Sequence, residues 1–283
     1  MKIITIAAIK GGVGKTTIAF NFGEYLAYIK KKKVLFIDLD HQCNLTQIYG
    51  IYDTENTIGN VFSNKGVVKI HNIDDHISLI AGNMHLDEIE RSIENRTDKN
   101  MLMYLWLADN YGKLNLDQFD YIILDTHPDF STATKNAIAI SHVLYSPITP
   151  SKDGYNARFN LKERIDEYKK EAIDFHTRKS YITAKLYFLA NMVKTNTHSS
   201  HELLDSIKDD KTVVAVIPNK ELFNQATLTE LSIAHATLLD EASGINEDQN
   251  KFIKKIKRSD QQTFLQSMFK TFENMKTYVD RTN

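Results

Sequence analysis

Cysteine is nearly absent from this chain of 283 residues, with Cys43 standing alone. One thiol excludes an intrachain disulfide, a Cys-x-x-Cys redox pair and a thiolate metal cage, and it points to a reducing, cytoplasmic setting. Long apolar runs are missing as well. No stretch of about 18 apolar residues occurs, and the opening MKIITIAAIKGG turns into a glycine loop before a signal-peptide core is complete. The expectation is a protein that neither spans a membrane nor is exported. Nor is there an excess of charge of one sign: 35 Lys+Arg against 36 Asp+Glu give −1, so the molecule as a whole has no electrostatic signature for nucleic acid. With 42% hydrophobic and 25% charged residues, disordered and collagen-like classes are excluded. The length suits one large α/β domain, so residues 1–283 are expected to form a single domain.

Only four prolines occur, and their positions are informative. Short β-branched runs at 2–9, 34–38, 77–82, 121–125, 142–148, 185–192 and 212–217 alternate with helical patterns. Nearly all-apolar strands alternating with helices predict a mostly parallel, twisted sheet covered by helices on both faces. Pro128, Pro147, Pro150 and Pro218 all fall at or just beyond the end of such a run, where a missing N–H breaks no ladder. In open α/β sheets that carboxyl rim is where ligands bind.

Glycine is also sparse, but three of the eleven glycines fall within four positions, in Lys10-Gly11-Gly12-Val13-Gly14-Lys15-Thr16-Thr17. The loop lies between an apolar strand and the helix-forming IAFNFGEYLAY. Glycines let backbone N–H groups curl round an anion, and the following helix adds its N-terminal donors and dipole. Lys15 can reach the β- and γ-phosphates, and Thr16 can hold Mg²⁺. The strict G-x-x-x-x-G-K-[ST] pattern fails at its first position, which is Ile9.

This segment resembles the deviant Walker A ATPases, the ParA/MinD family. Asp38-Leu39-Asp40-His41-Gln42-Cys43-Asn44-Leu45-Thr46 is similar to the ParA-type D-x-D-P-Q-G-N-x-T, and Asp125-Thr126-His127-Pro128 to its D-T-P-P. Asn191, closing YFLAN, and the Ile217-Pro218 turn match places where the family holds adenine. The resemblance covers roughly the first 220 residues and implies an ATP- and Mg²⁺-dependent ATPase. It implies that Lys15 and the amides of Gly11, Gly12, Val13 and Gly14 hold phosphate, that Thr17 contacts the α-phosphate, and that Thr16, Asp125 and Asp40 form the metal set. Lys10 would reach across an ATP-sandwich homodimer, and Asp40 would orient the attacking water. Four residues depart from the pattern: His41 and Cys43 replace proline and glycine, and His127 and Asp129 replace proline and serine.

The ten histidines show no linear metal-ligand spacing, and Cys43 reads as a small loop residue with no cationic activator. Lys30-Lys31-Lys32-Lys33 reads as a solvated helix cap favoured by the helix dipole. From Lys251 onward, eight basic residues oppose three acidic ones, a local excess of five positive charges. Within this basic helical segment from about 250, Lys254, Lys255, Lys257 and Arg258, with Lys194 and Lys220 on the rim, are candidates for meeting a DNA backbone without reading bases. The stripe Phe264, Leu265, Met268, Phe269, Phe272, Met275 and Val279 predicts a terminal helix packed on the core. The function implied is ParA-type DNA segregation, plasmid or chromosomal: a dimer on non-specific duplex DNA and the nucleoid, with hydrolysis stimulated by a ParB-type partner. A MinD-like membrane-cycling ATPase is the alternative.

Overall fold

Strands that are apolar at nearly every position have no face to give to water. In the computed structural model, which describes residues 1–282, they form one eight-stranded sheet with helices on both sides. The strands are β1 (Lys2–Ile6), β2 (Val34–Leu39), β3 (Ile70–Asn72), β4 (Ile77–Ile80), β5 (Tyr121–Thr126), β6 (Val143–Ile148), β7 (Lys185–Val193) and β8 (Val213–Pro218). Their order is β3-β4-β2-β5-β1-β6-β7-β8, and every pairing is parallel except β3 with β4. Seven of the eight strands coincide with the runs seen in the sequence. The eighth, β3, is three residues of mixed burial at an edge, too short to show a period.

Alternation along the strands divides the core. Ile4, Ile6, Phe36, Ile123 and Tyr145 pack on one face with Phe20, Phe22 and Phe272, whereas Ile3, Leu35, Ile37, Ile122 and Leu124 pack on the other with Phe62, Met103 and Ala137. Pro147 lies inside β6, not beyond it, opposite Leu189 of β7. It is tolerated because β1 pairs with β6 only as far as Ile6 with Tyr145, so the missing N–H falls on the side where β1 has already turned away.

The terminal stripe forms helix Gln262–Asp280, which buries Leu265, Met268, Phe272, Met275 and Val279 against β8 and β1. Phe264 and Phe269 pack at its margin. Polar contacts fasten it: the Tyr145 hydroxyl donates to the Met275 carbonyl at 2.6 Å, Tyr121 to Asp280 at 2.7 Å and Tyr25 to Glu273 at 2.8 Å. Within the lysine run, Lys30 pairs with Glu273 and Lys32 with Asp120, as expected of a basic helix end holding neighbouring carboxylates.

Glu24 lies wholly buried in this layer and accepts from the Tyr49 hydroxyl at 3.0 Å. Burial pushes its carboxyl up to about 7, with Ser232 and Tyr49 offsetting part of the burial. The folded chain therefore holds this proton more tightly than the unfolded one, so Glu24 lowers stability as pH rises from about 4.5 to about 7, and no further above that. Glu24→Gln keeps an acceptor for Tyr49 and removes the charge. Denaturant unfolding should show a gain on the order of 2–3 kcal/mol at pH 8, shrinking towards zero at pH 4.

Candidate functional site

The loop from Ile9 to Gly14 leaves the carboxyl end of β1, the central strand between β5 and β6, where connections diverge to opposite sides of the sheet. Gly12 and Gly14 take φ of +71° and +84°, which a side chain would strain. A Cβ at Gly14 would also stand 2.6 Å from the Asn191 amide nitrogen. Helix Lys15–Glu24 starts at Gly14 with no side-chain cap, so its first N–H groups face the loop.

Lys15 is buried beneath the loop. Burial lowers its pKa, and the charges of Asp125, Asp40 and Asp129 offset only part of that shift. The Thr16 hydroxyl donates to Asp125 Oδ2 at 2.6 Å, while Asp125 Oδ1 is buried with no hydrogen-bond partner among the described residues. Burial and the neighbouring Asp38 push the Asp125 carboxyl up to about 8, against the Thr16 bond and Lys15. An orphaned buried oxygen beside a hydroxyl is a donor set that fits a hard cation such as Mg²⁺. When bound, that ion would neutralise phosphate charge.

Asp40 sits in a loop built by Asp38. Asp38 accepts from the Thr46 N–H (2.9 Å), the Thr46 hydroxyl (2.7 Å) and the Asp40 N–H (3.1 Å), and Thr46 Oγ1 accepts from the Gly82 N–H (2.8 Å). Asp38 thus sets where Asp40 stands. Sequence reasoning left Asp38 without a role; the Asp-to-Thr spacing of eight was the available signal. Asp40 Oδ1 accepts from the Gln42 N–H at 2.9 Å.

The Asn191 amide donates to the Val13 carbonyl at 2.8 Å. In this structure that nitrogen braces the phosphate loop. Pro218 ends β8, three strands away from β1, and the next residue's N–H donates to the Val193 carbonyl. Thr17 is half-buried beside Thr16, and Lys10, also half-buried, has no carboxylate within ion-pair distance among the described residues. Cys43 is buried in the left-handed region (φ 53°), the conformation that suits the glycine of the ParA-type pattern. Burial, then Asp38 and Asp40, push its thiol up to about 12, which suppresses the thiolate.

The histidines give a different picture in space than along the chain. His41 and His127 lie ring against ring, centroids 4.2 Å apart, and one nitrogen of each ring and an Asp40 oxygen all fall within 4.8 Å of one another. Away from these groups, Lys194 and Lys220 after β7 and β8, and Lys254, Lys257 and Arg258 at the end of helix Glu247–Ile256, are exposed, and Lys255 is half-exposed. Lys220 lies over the Phe264 ring, at the start of the helix that follows the basic cluster. Arg258 pairs with Asp260 at 3.1 Å.

The virulence plasmid ParA family protein pGP5-D of Chlamydia psittaci is 31% identical over 158 residues, covering 53% of this chain and 58% of that protein. A family model described as an AAA domain matches residues 1–179. The chain belongs to the ParA/MinD family. Another relative with that resemblance is the sporulation initiation inhibitor protein Soj of Bacillus subtilis, 27% identical over 234 residues, 80% of this chain and 87% of Soj. The chain spans about half the length of several curated relatives it matches. The fold is shared with a putative plasmid partition protein of Borrelia burgdorferi solved with AMPPNP, at a TM-score of 0.67 and 24% identity over 94% of this chain and 98% of that one.

Proposed function

We propose that the chain works as one Mg²⁺-dependent ATPase domain whose nucleotide-closed homodimer holds non-specific duplex DNA during plasmid or chromosome segregation. The observation carrying this reading is the orphaned Asp125 oxygen beside the Thr16 hydroxyl, under a glycine loop with buried Lys15. Lys15 and the loop N–H groups bind phosphate, and Thr16, Asp125 and Asp40 would hold the ion. Asp40, fixed by Asp38 and Gln42, orients the attacking water. Lys10, which has no carboxylate partner among the described residues, reaches the second copy's nucleotide. Pro218 and Asn191 border the base, Asn191 after exchanging its loop bond for a nucleotide contact. A ParB-type DNA-bound partner accelerates hydrolysis and so releases the dimer.

Nothing in the structure favours membrane cycling. The apolar stripe that would enter a bilayer is packed against β1 and β8, and no helix among the described residues is long and apolar enough to cross a membrane. A gel shift on unrelated duplexes with ADP, ATP and a non-hydrolysable analogue tests the reading, with a shift expected only for the two triphosphates. Binding to liposomes instead would overturn it.

Lys10 and Asp40 should separate closure from chemistry. Lys10→Ala should abolish ATP-dependent dimerisation in light scattering, whereas Asp40→Ala should accumulate a dimer whose turnover falls by on the order of 10²-fold or more. Identical behaviour of the two variants would refute the division of roles.

A further inference from the structure

Two substitutions in separate ParA-type motifs meet in space. His41 follows Asp40 after β2 and His127 follows β5, and the parallel pairing of those strands brings their ends side by side. His127 Nδ1 bonds Asp129 Oδ2 at 3.0 Å, which leaves Nε2 as the ring nitrogen open to a ligand. Asp129 is itself fixed by the Ser131 N–H (3.0 Å) and the Thr134 hydroxyl (3.2 Å). A carboxylate behind an imidazole, itself held from behind, is the arrangement that orients metal-binding histidines. Asp40 is oriented in the same way by the Gln42 N–H.

We infer that Asp40, His41 and His127 form a site for a zinc-class divalent cation, distinct from the oxygen pair of Thr16 and Asp125. The spacing within 4.8 Å is wider than the ~3.3 Å between tetrahedral ligands at ~2.1 Å from a metal, so binding would draw the half-exposed His41 ring and the Asp40 carboxylate toward the His127 ring that Asp129 holds. Two imidazoles and one carboxylate select Zn²⁺ or Co²⁺ over Mg²⁺, which keeps to oxygen. The surroundings also favour a cation, with Asp38, Asp125 and Asp129 close by and Lys15 the opposing charge. Three protein ligands leave a position for water. Because the cation would take the Asp40 carboxylate, it would act as a brake on hydrolysis with nucleotide still bound; this consequence rests on the role proposed for Asp40.

The test uses the metal-free full chain titrated with Co²⁺ and with Zn²⁺. One equivalent of Co²⁺ should give visible bands of a low-coordinate nitrogen–oxygen site, and X-ray absorption of the Zn²⁺-loaded wild type should count two imidazoles. Asp129→Asn should weaken Zn²⁺ binding about 10–100-fold and His41→Ala or His127→Ala more, while His198→Ala, on an exposed helix beside Glu202, should change nothing. Absence of Co²⁺ bands, or fewer than two imidazoles in the wild type, would overturn the site. Zn²⁺ should slow Mg·ATP turnover in the wild type and leave His41→Ala turnover insensitive. If two imidazoles are found but turnover ignores Zn²⁺, the brake is refuted. A wild type without turnover even in the absence of Zn²⁺ counts against the ATPase reading and leaves the metal readouts decisive.

Discussion

Lys15→Ala should leave a chain with the wild-type circular dichroism spectrum and an ATP turnover reduced by about 10²–10³-fold, in keeping with the removal of one preorganised charge donor from a phosphate site. The effect is large because Lys15 is buried beneath the loop, where little water replaces a lost ammonium. The fold survives because Lys15 belongs to no hydrophobic cluster and its partners are carboxylates of the same site. Turnover within a few-fold of wild type would refute the phosphate-site assignment.

Removing the charges of Lys254, Lys255, Lys257 and Arg258 together should weaken ATP-dependent binding to unrelated duplexes alike. If each neutralises one phosphate, the slope of log K against log [salt] becomes shallower by about 3.6 per protomer, about 7 for a dimer presenting both patches, and affinity at 0.1 M salt falls by at least three orders of magnitude. Among the described residues only Arg258 of the four has a carboxylate partner, so the other three charges are available to a polyanion. The proposed dimer would account for an ATP requirement, since two copies of a weak patch joined together bind as a unit. Basal turnover should persist, as these residues lie on the helix Glu247–Ile256 and the turn after it, outside the phosphate loop. An unchanged affinity would move the surface to Lys194 and Lys220.

The sheet was legible in the sequence because buried parallel strands leave unbroken apolar runs, and the phosphate loop because its glycines cluster. Lys15, Thr16 and Asp125 stand out in the sequence through their motifs, and the structure brings the Thr16 hydroxyl against Asp125. What escaped was contact across the sheet. That His41 and His127 share a site depends on β2 and β5 being neighbours, although β3 and β4 lie between them in the chain. Asp38 escaped because its three donors come from its own loop, as backbone and hydroxyl groups that no charge pattern betrays. Asn191 was placed near the nucleotide, but its bond to Val13 arises where β7 slips register against β8 between Ala190 and Val193. Irregularities of that kind leave no period to read.

The strand order also sets when the site can exist during synthesis. β1 is made first, yet both its neighbours, β5 and β6, follow far later in the chain. Until they emerge, β1 has no strand to bond and its loop has no carboxylate: Thr16 waits 109 residues for Asp125, and Val13 waits 178 for Asn191. Helix Gln262–Asp280, which closes the core over β1 and Phe22, comes later still. Contacts so distant in sequence make folding slow, and they leave a nascent chain with an apolar strand uncovered on the ribosome. A growing chain therefore gains its nucleotide grip in one late step, and a fragment ending before β7 would carry the glycine loop without the residues that hold it in shape.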